Sequence, residues 1–150
     1  MAAAIEHLGG AEAVSRLSYE RTDRNILASK TNIAADHLLA EVGDVVLRRK
    51  DGAPAYHLAV VVDDAFQQVT HVTRGEDLLE VTAIHRLLQA ILGLPTPIYH
   101  HHRLIRDATG KRLAKRDDAR SIRTLREAGA TPLDIYRKLD LNDQVAEFVS

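Results

Sequence analysis

The stretch that most constrains the fold is 84–92, where Ile84, Leu87, Leu88, Ile91 and Leu92 recur at i, i+3, i+4, i+7 and i+8. That spacing lines one side of a helix with apolar groups, which must be buried against another element. Gly93 ends the periodicity and Pro95 prevents its resumption, so the helix has a definite stop. Upstream, the run LAVVV at 58–62 lies between Tyr56 and the pair Asp63–Asp64, and HVTRGED follows at 71–77. Consecutive valines are β-prone, so the first segment reads as a strand, the acids as a hairpin-like connection, and the second segment as another strand. A strand that gives way to a helix is where open α/β sheets collect ligands. Arg74 stands at that exit with a planar fork suited to a carboxylate. An ordinary polar loop is the competing reading of this segment alone.

The rest of the chain supports one domain built around such a sheet. At 150 residues, with 45% hydrophobic content, it can bury a single core. Residues 2–8 and 11–17 read as short helical turns broken at Gly9–Gly10, and Asn32 as the cap of a helix reaching about Ala40. Val45–Arg48 reads as a short strand, turned at Lys50–Gly52 into the Tyr56 segment, and 98–105 as a later strand. Ser121 opens a helix that Gly129 stops, and Thr131–Pro132 start another. The expected division is a helical connective segment over 1–43, a central α/β portion over 44–132, and a helical tail over 133–150.

Charge and composition exclude several classes. Twenty Lys and Arg against 21 Asp and Glu leave a net charge of -1, so the chain as a whole attracts neither nucleic acid nor an acidic membrane. There is no cysteine, so disulfides and thiolate zinc sites are excluded. No apolar run approaches membrane-spanning length and the start has no leader pattern, so a soluble, cytoplasmic protein with no membrane partner is expected.

Local chemistry concentrates late in the chain. From Arg103 to Arg126 nine Lys or Arg face three acids, and the centre of this excess is a turn suited to phosphates. A solvated basic face is the plain alternative. His100, His101 and His102 invite a metal, yet in a strand only His100 and His102 share a side, and no third ligand is near in sequence. Asp63 and Asp64 read as turn formers with no catalytic part.

Taken together, YHLAVVVDD at 56–64, VTHVTRGED at 69–77 and KRLAKRD at 111–117, in this order and spacing, resemble the glutamyl-tRNA synthetase family of class I aminoacyl-tRNA synthetases. The likeness runs from about Asp44 to Pro132. It implies an α/β fold, the C-terminal half of a Rossmann-like synthetase catalytic domain, preceded by a small helical segment. Residues 112–116 resemble the lysine loop written KMSKS, with Lys115 on the phosphate-steadying lysine, Arg112 in place of the first lysine and Ala114 in place of the serine. By the same likeness Tyr56 and Arg74 bind glutamate, while Asp77 and the backbone of Leu104 and Ile105 contact the adenosine of ATP.

The implied partners are glutamate, ATP with magnesium as its counter-ion, and a tRNA; no zinc is expected. Because the chain stops about 35 residues after the lysine loop, it looks more like the short glutamyl-queuosine tRNA(Asp) synthetases, which load a modified base of tRNA(Asp). No HIGH signature occurs, so the expectation is an incomplete catalytic domain. It would be inactive alone or completed by an N-terminal half, and its exposed edge would be covered by that half or by a second copy in a homodimer. The alternative is a non-catalytic tRNA- or protein-binding module derived from a synthetase.

Overall fold

The apolar stripe at 84–92 belongs to α5, Leu79–Leu92, and this helix is buried on two sides. A computed structural model describes residues 1–22, 28–106, 110 and 121–139. The chain divides into two compact units, Met1–Arg103 and Leu104–Ser150. In the first unit, Leu87 joins a core formed with Ile5 of α1 (Ala2–His7), Val14 of α2 (Gly10–Ser15), Ile33, and Ala35 of α3 (Ala35–His37). Leu38 completes that cluster from a π-helical turn, Leu38–Val42. Ile84 and Leu88 pack instead on Val61 of α4 (Tyr56–Phe66), with Val45, Leu47 and Leu94 alongside. Burying each such side chain is worth about 1.5–3 kcal/mol, so α5 carries much of the unit's cohesion.

The other buried side of α5 is polar. Thr82, His85 and Gln89 recur at i, i+3 and i+7 and are nearly inaccessible, so they form a stripe along the helix roughly opposite the apolar one. This stripe meets a four-stranded sheet made of β1 (Ser18–Thr22), β2 (Ala28–Asn32), β3 (His71–Gly75) and β4 (Ile98–His102), in the order β2-β1-β4-β3. β1 and β2 are antiparallel, with Ser18 opposite Asn32 and Thr22 opposite Ala28. β4 runs parallel to both β1 and β3, with Arg74 opposite His101. Parallel neighbours need a crossover, and α5 is the one between β3 and β4. Its end is set by Gly93, whose φ of 64° lets Leu94 N–H reach the Gln89 carbonyl at 2.8 Å.

In the second unit, the Ser121 side chain accepts from Thr124 N–H at 3.1 Å and caps α6, Ile122–Glu127. Thr131 and Asp134 form a reciprocal cap at the start of α7, Pro132–Leu139. The hydrogen bonds from Thr131 hold the Asp134 carboxyl below the usual range. Both helices begin where the sequence expects them.

Three expectations need correction. The segment 56–66 is a helix rather than a strand with a hairpin connection, and Asp63–Asp64 lie inside it. Valine's β preference is weaker than the packing available to a face made of His57, Val60, Val61 and Asp64, which recur at i, i+3, i+4 and i+7 and point inward. Val45–Arg48 forms no ladder strand. It makes one isolated antiparallel bridge, Arg48 to Pro54, around the expected turn at Lys50–Gly52, closed by Arg49 N–H to the Ala53 carbonyl at 2.8 Å and Ala55 N–H to the Leu47 carbonyl at 2.9 Å. The segment 1–43 is not wholly helical, since it contains β1 and β2, and Asn32 pairs with Ser18 instead of capping a helix. The expected short helices at the start and the strands at 71–75 and 98–102 are present.

Because Leu87 is 3% exposed and Leu92 is 44% exposed, Leu87→Ala is expected to lower stability by about 3 kcal/mol and Leu92→Ala by under about 1 kcal/mol. Urea denaturation of the two variants checks this contrast.

Candidate active site

On β3, Val72 and Arg74 turn to the same side of the sheet, and on β4 Tyr99 and His101 do so too, all toward the polar stripe of α5. Arg74 is the centre of this layer. Its Nε–H donates to His101 Nε2 at 3.3 Å, Nη1 lies 3.2 Å from His85 Nδ1, and Nη2 donates to Thr82 Oγ1 at 2.5 Å. The guanidinium carbon sits 4.9 Å from the centre of the Tyr99 ring, within cation–π range. Gln89 in turn donates from Nε2 to the Tyr99 hydroxyl at 2.9 Å.

Arginine has five N–H donors and no acceptor, so His85 must accept at Nδ1 and His101 at Nε2. Each ring is therefore held neutral. Burial, then the Arg74 charge, then His57 depress the His85 pKa to about 3. Burial, Arg74 and Arg21, with smaller contributions from His100 and His102, depress that of His101 to about 4. Among the described residues no carboxylate lies within ion-pair distance of Arg74. Asp64, half-buried on α4, feels its charge: burial and Asp63 raise its carboxyl pKa, and Arg74 opposes them.

Tyr56 begins α4 and is 55% exposed. Its ring centre is 5.9 Å from that of His85 and 5.4 Å from that of His57, and His57 Nδ1 lies 3.2 Å from His85 Nε2. Tyr56 and Arg74 thus both contact His85. Asp77 lies exposed in a 3-10 turn, Glu76–Leu78, directly after β3. Leu104 and Ile105 open the second unit, outside any helix or strand. Arg112 and Lys115 lie outside the described residues.

The sequence singled out His101 only as the middle of the histidine triplet weighed for a metal, and His57, Thr82 and His85 not at all. The signal for the last two was the spacing of Thr82, His85 and Gln89, a polar stripe inside an otherwise apolar helix. The signal for His57 is only visible once 56–66 is known to be helical. In the histidine triplet the middle member faces Arg74, while His100 meets Thr22 Oγ1 at 3.0 Å and His102 Nδ1 the Arg103 carbonyl at 2.9 Å.

The depressed histidine pKa values predict acid sensitivity. Each folded value lies below the unfolded value near 6.5, so the unfolded chain binds protons first as the pH falls. The stabilising contribution is complete above about pH 6.5 and is lost as the pH drops toward about 4 and then about 3. By pH 5 the loss from His85 is expected to reach about 2 kcal/mol at most. Denaturant midpoints measured from pH 7.5 to 5 are expected to fall, and less steeply in His85→Asn than in the parent.

A family model described as tRNA synthetases class I (E and Q), catalytic domain, matches residues 10–143. The glutamyl-Q tRNA(Asp) synthetase of Rhodobacter capsulatus is 59% identical over 109 residues, which make up 73% of this chain and 39% of that protein. That of Nocardia farcinica is 47% identical over 130 residues, 87% of this chain and 40% of that protein. The chain therefore spans about two fifths of the length of these relatives. A crystal structure of a glutamate tRNA ligase from Elizabethkingia meningosepticum in complex with its amino acid is 34% identical, with a TM-score of 0.52, over 69% of this chain and 20% of that one. The mixed α/β sheet, the motifs at 56–64 and 69–77, and the extent of these matches lead to one assignment: the chain belongs to the class I tRNA synthetase family for E and Q, as part of its catalytic domain.

Proposed function

We propose that the chain supplies the glutamate-recognising part of a glutamyl-queuosine-type synthetase, which activates glutamate with ATP and passes it to a tRNA, tRNA(Asp) by analogy with the named relatives. The observation that carries this reading is the unusual state of Arg74. It is a buried cation held by three neutral acceptors, and two of its five N–H groups make no hydrogen bond to the described residues. Burying an unpaired charge costs several kcal/mol, and a bound carboxylate offsets that cost through paired N–H···O bonds. Tyr56, in contact with the same histidine, borders the position such a ligand would take.

In this reading the α-carboxylate of glutamate attacks the α-phosphorus of ATP, forming glutamyl-adenylate and releasing pyrophosphate. Arg74 and Tyr56 hold the amino acid. Lys115, with Arg112, neutralises charge developing on the phosphates, and Asp77 with the backbone of Leu104 and Ile105 contacts the adenosine. These ATP roles rest on the motif likeness alone. Such chemistry asks the protein mainly for positioning and charge stabilisation. The 150 residues contain no HIGH signature, so adenylate formation requires that element from elsewhere in the assembly.

Two measurements test the reading. Calorimetric titration of L-glutamate into the chain is expected to show saturable binding that weakens several-fold in Tyr56→Phe and at least about tenfold in Arg74→Lys, where the fork is lost. Circular dichroism verifies that both variants fold. Glutamate-dependent exchange of pyrophosphate into ATP, with a HIGH-bearing N-terminal fragment of a relative supplied, is expected to fall about 100-fold in Lys115→Ala. Binding indifferent to both the Tyr56 and Arg74 changes would reject the assignment.

A further inference from the structure

We propose that His57 is a specificity-determining residue, locked by Arg74 through His85 so that its outward nitrogen is an N–H donor, and that it favours a carboxylate ligand over the matching amide. This rests on the glutamate reading above and deepens it.

The Arg74 guanidinium can only donate, so His85 Nδ1, 3.2 Å from Nη1, accepts. A neutral imidazole has one N–H, which His85 must then carry on Nε2. That nitrogen is 3.2 Å from His57 Nδ1, with ring centres 5.5 Å apart and planes tilted by 59°. His57 Nδ1 therefore accepts, and its own N–H is on Nε2. The opposite arrangement brings two N–H groups face to face, or turns a His85 N–H toward the guanidinium. A permanent charge in the buried layer thus dictates the tautomer of a half-buried ring two residues away in the contact chain.

His57 Nε2 has no hydrogen-bond partner among the described residues, and the ring stands edge-on beside Tyr56. In the proposed arrangement the ligand meets the spare N–H bonds of Arg74, the His57 Nε2–H and the Tyr56 hydroxyl, groups linked by their shared contacts with His85, and of these only the last can also accept. A carboxylate accepts from all of them. An amide of the same shape turns its NH2 toward at least one N–H, and a mismatched polar contact of this kind reduces affinity. Discrimination between glutamate and glutamine therefore depends on a tautomer as well as on net charge, and His85 acts as the positioning residue that transmits it.

The test has two arms on the full chain. Long-range proton–nitrogen correlation spectra at pH 7.5, without ligand, are expected to show both His57 and His85 protonated at Nε2 only. In His85→Asn, whose side-chain oxygen can still accept from Arg74 but whose geometry supplies no N–H at the former Nε2, the His57 signal is expected to shift to a mixture of tautomers. Binding of L-glutamate and L-glutamine is then compared in the parent and in His57→Phe, which keeps the aromatic contact with Tyr56 but removes the donor. The glutamate preference is expected to fall about tenfold in the variant. An Nδ1–H form of His57 in the parent overturns the proposal, as does glutamate binding with an unchanged preference in His57→Phe. If the folded parent binds neither amino acid, the glutamate reading itself fails and this inference falls with it, an outcome distinct from the other two.

Discussion

A guanidinium buried with no carboxylate in ion-pair reach among the described residues is the constraint around which the first unit is arranged. Arg74 must remain charged, and burial removes the water that would otherwise solvate it. The solution is a shell of neutral groups: two imidazole nitrogens, a hydroxyl and the face of a tyrosine. Each holds the charge in place without cancelling it. Such a centre attracts an acidic ligand more strongly than an arginine already neutralised by an aspartate, because no internal ion pair has to be broken.

That shell explains why α5 has two buried sides of opposite character. Its apolar stripe binds two clusters together, with Leu87 on the core of the opening helices and Ile84 and Leu88 on α4. The polar stripe receives Arg74, His101 and Tyr99 from the sheet. The same helix is also the crossover between β3 and β4, so the segment that makes these strands parallel neighbours also carries the polar stripe. A change to the stripe at Thr82, His85 or Gln89 acts on the surroundings of Arg74 and on packing together.

The histidines in this layer serve as acceptors, a use that requires them to stay neutral. Burial and the neighbouring charge both act in that direction, well below the ordinary imidazole range. Helix α4 extends the same polarity outward through His57, so the direction of hydrogen bonding runs from the centre of the layer to its rim. The arrangement also places Asp64 close enough to feel Arg74 without pairing with it, which limits how far the local field becomes positive.

The family was legible in the residues alone, because YHLAVVVDD, VTHVTRGED and KRLAKRD resemble it in order and spacing and the family model matches residues 10–143, and α5 was legible from a periodicity that only one helix face satisfies. The arginine at a strand exit was legible too. The helical state of 56–66 was not, since valines carry a local β preference that only burial against Ile84 and Leu88 overrides. Nor was the environment of Arg74: His85 and His101 lie 11 and 27 positions away from it, and His57 reaches it only through His85. Local sequence settles what a residue can donate or accept and how a segment repeats. Which donors meet which acceptors was decided by tertiary packing, because buried polar groups find partners across elements and no spacing along the chain encodes that distance.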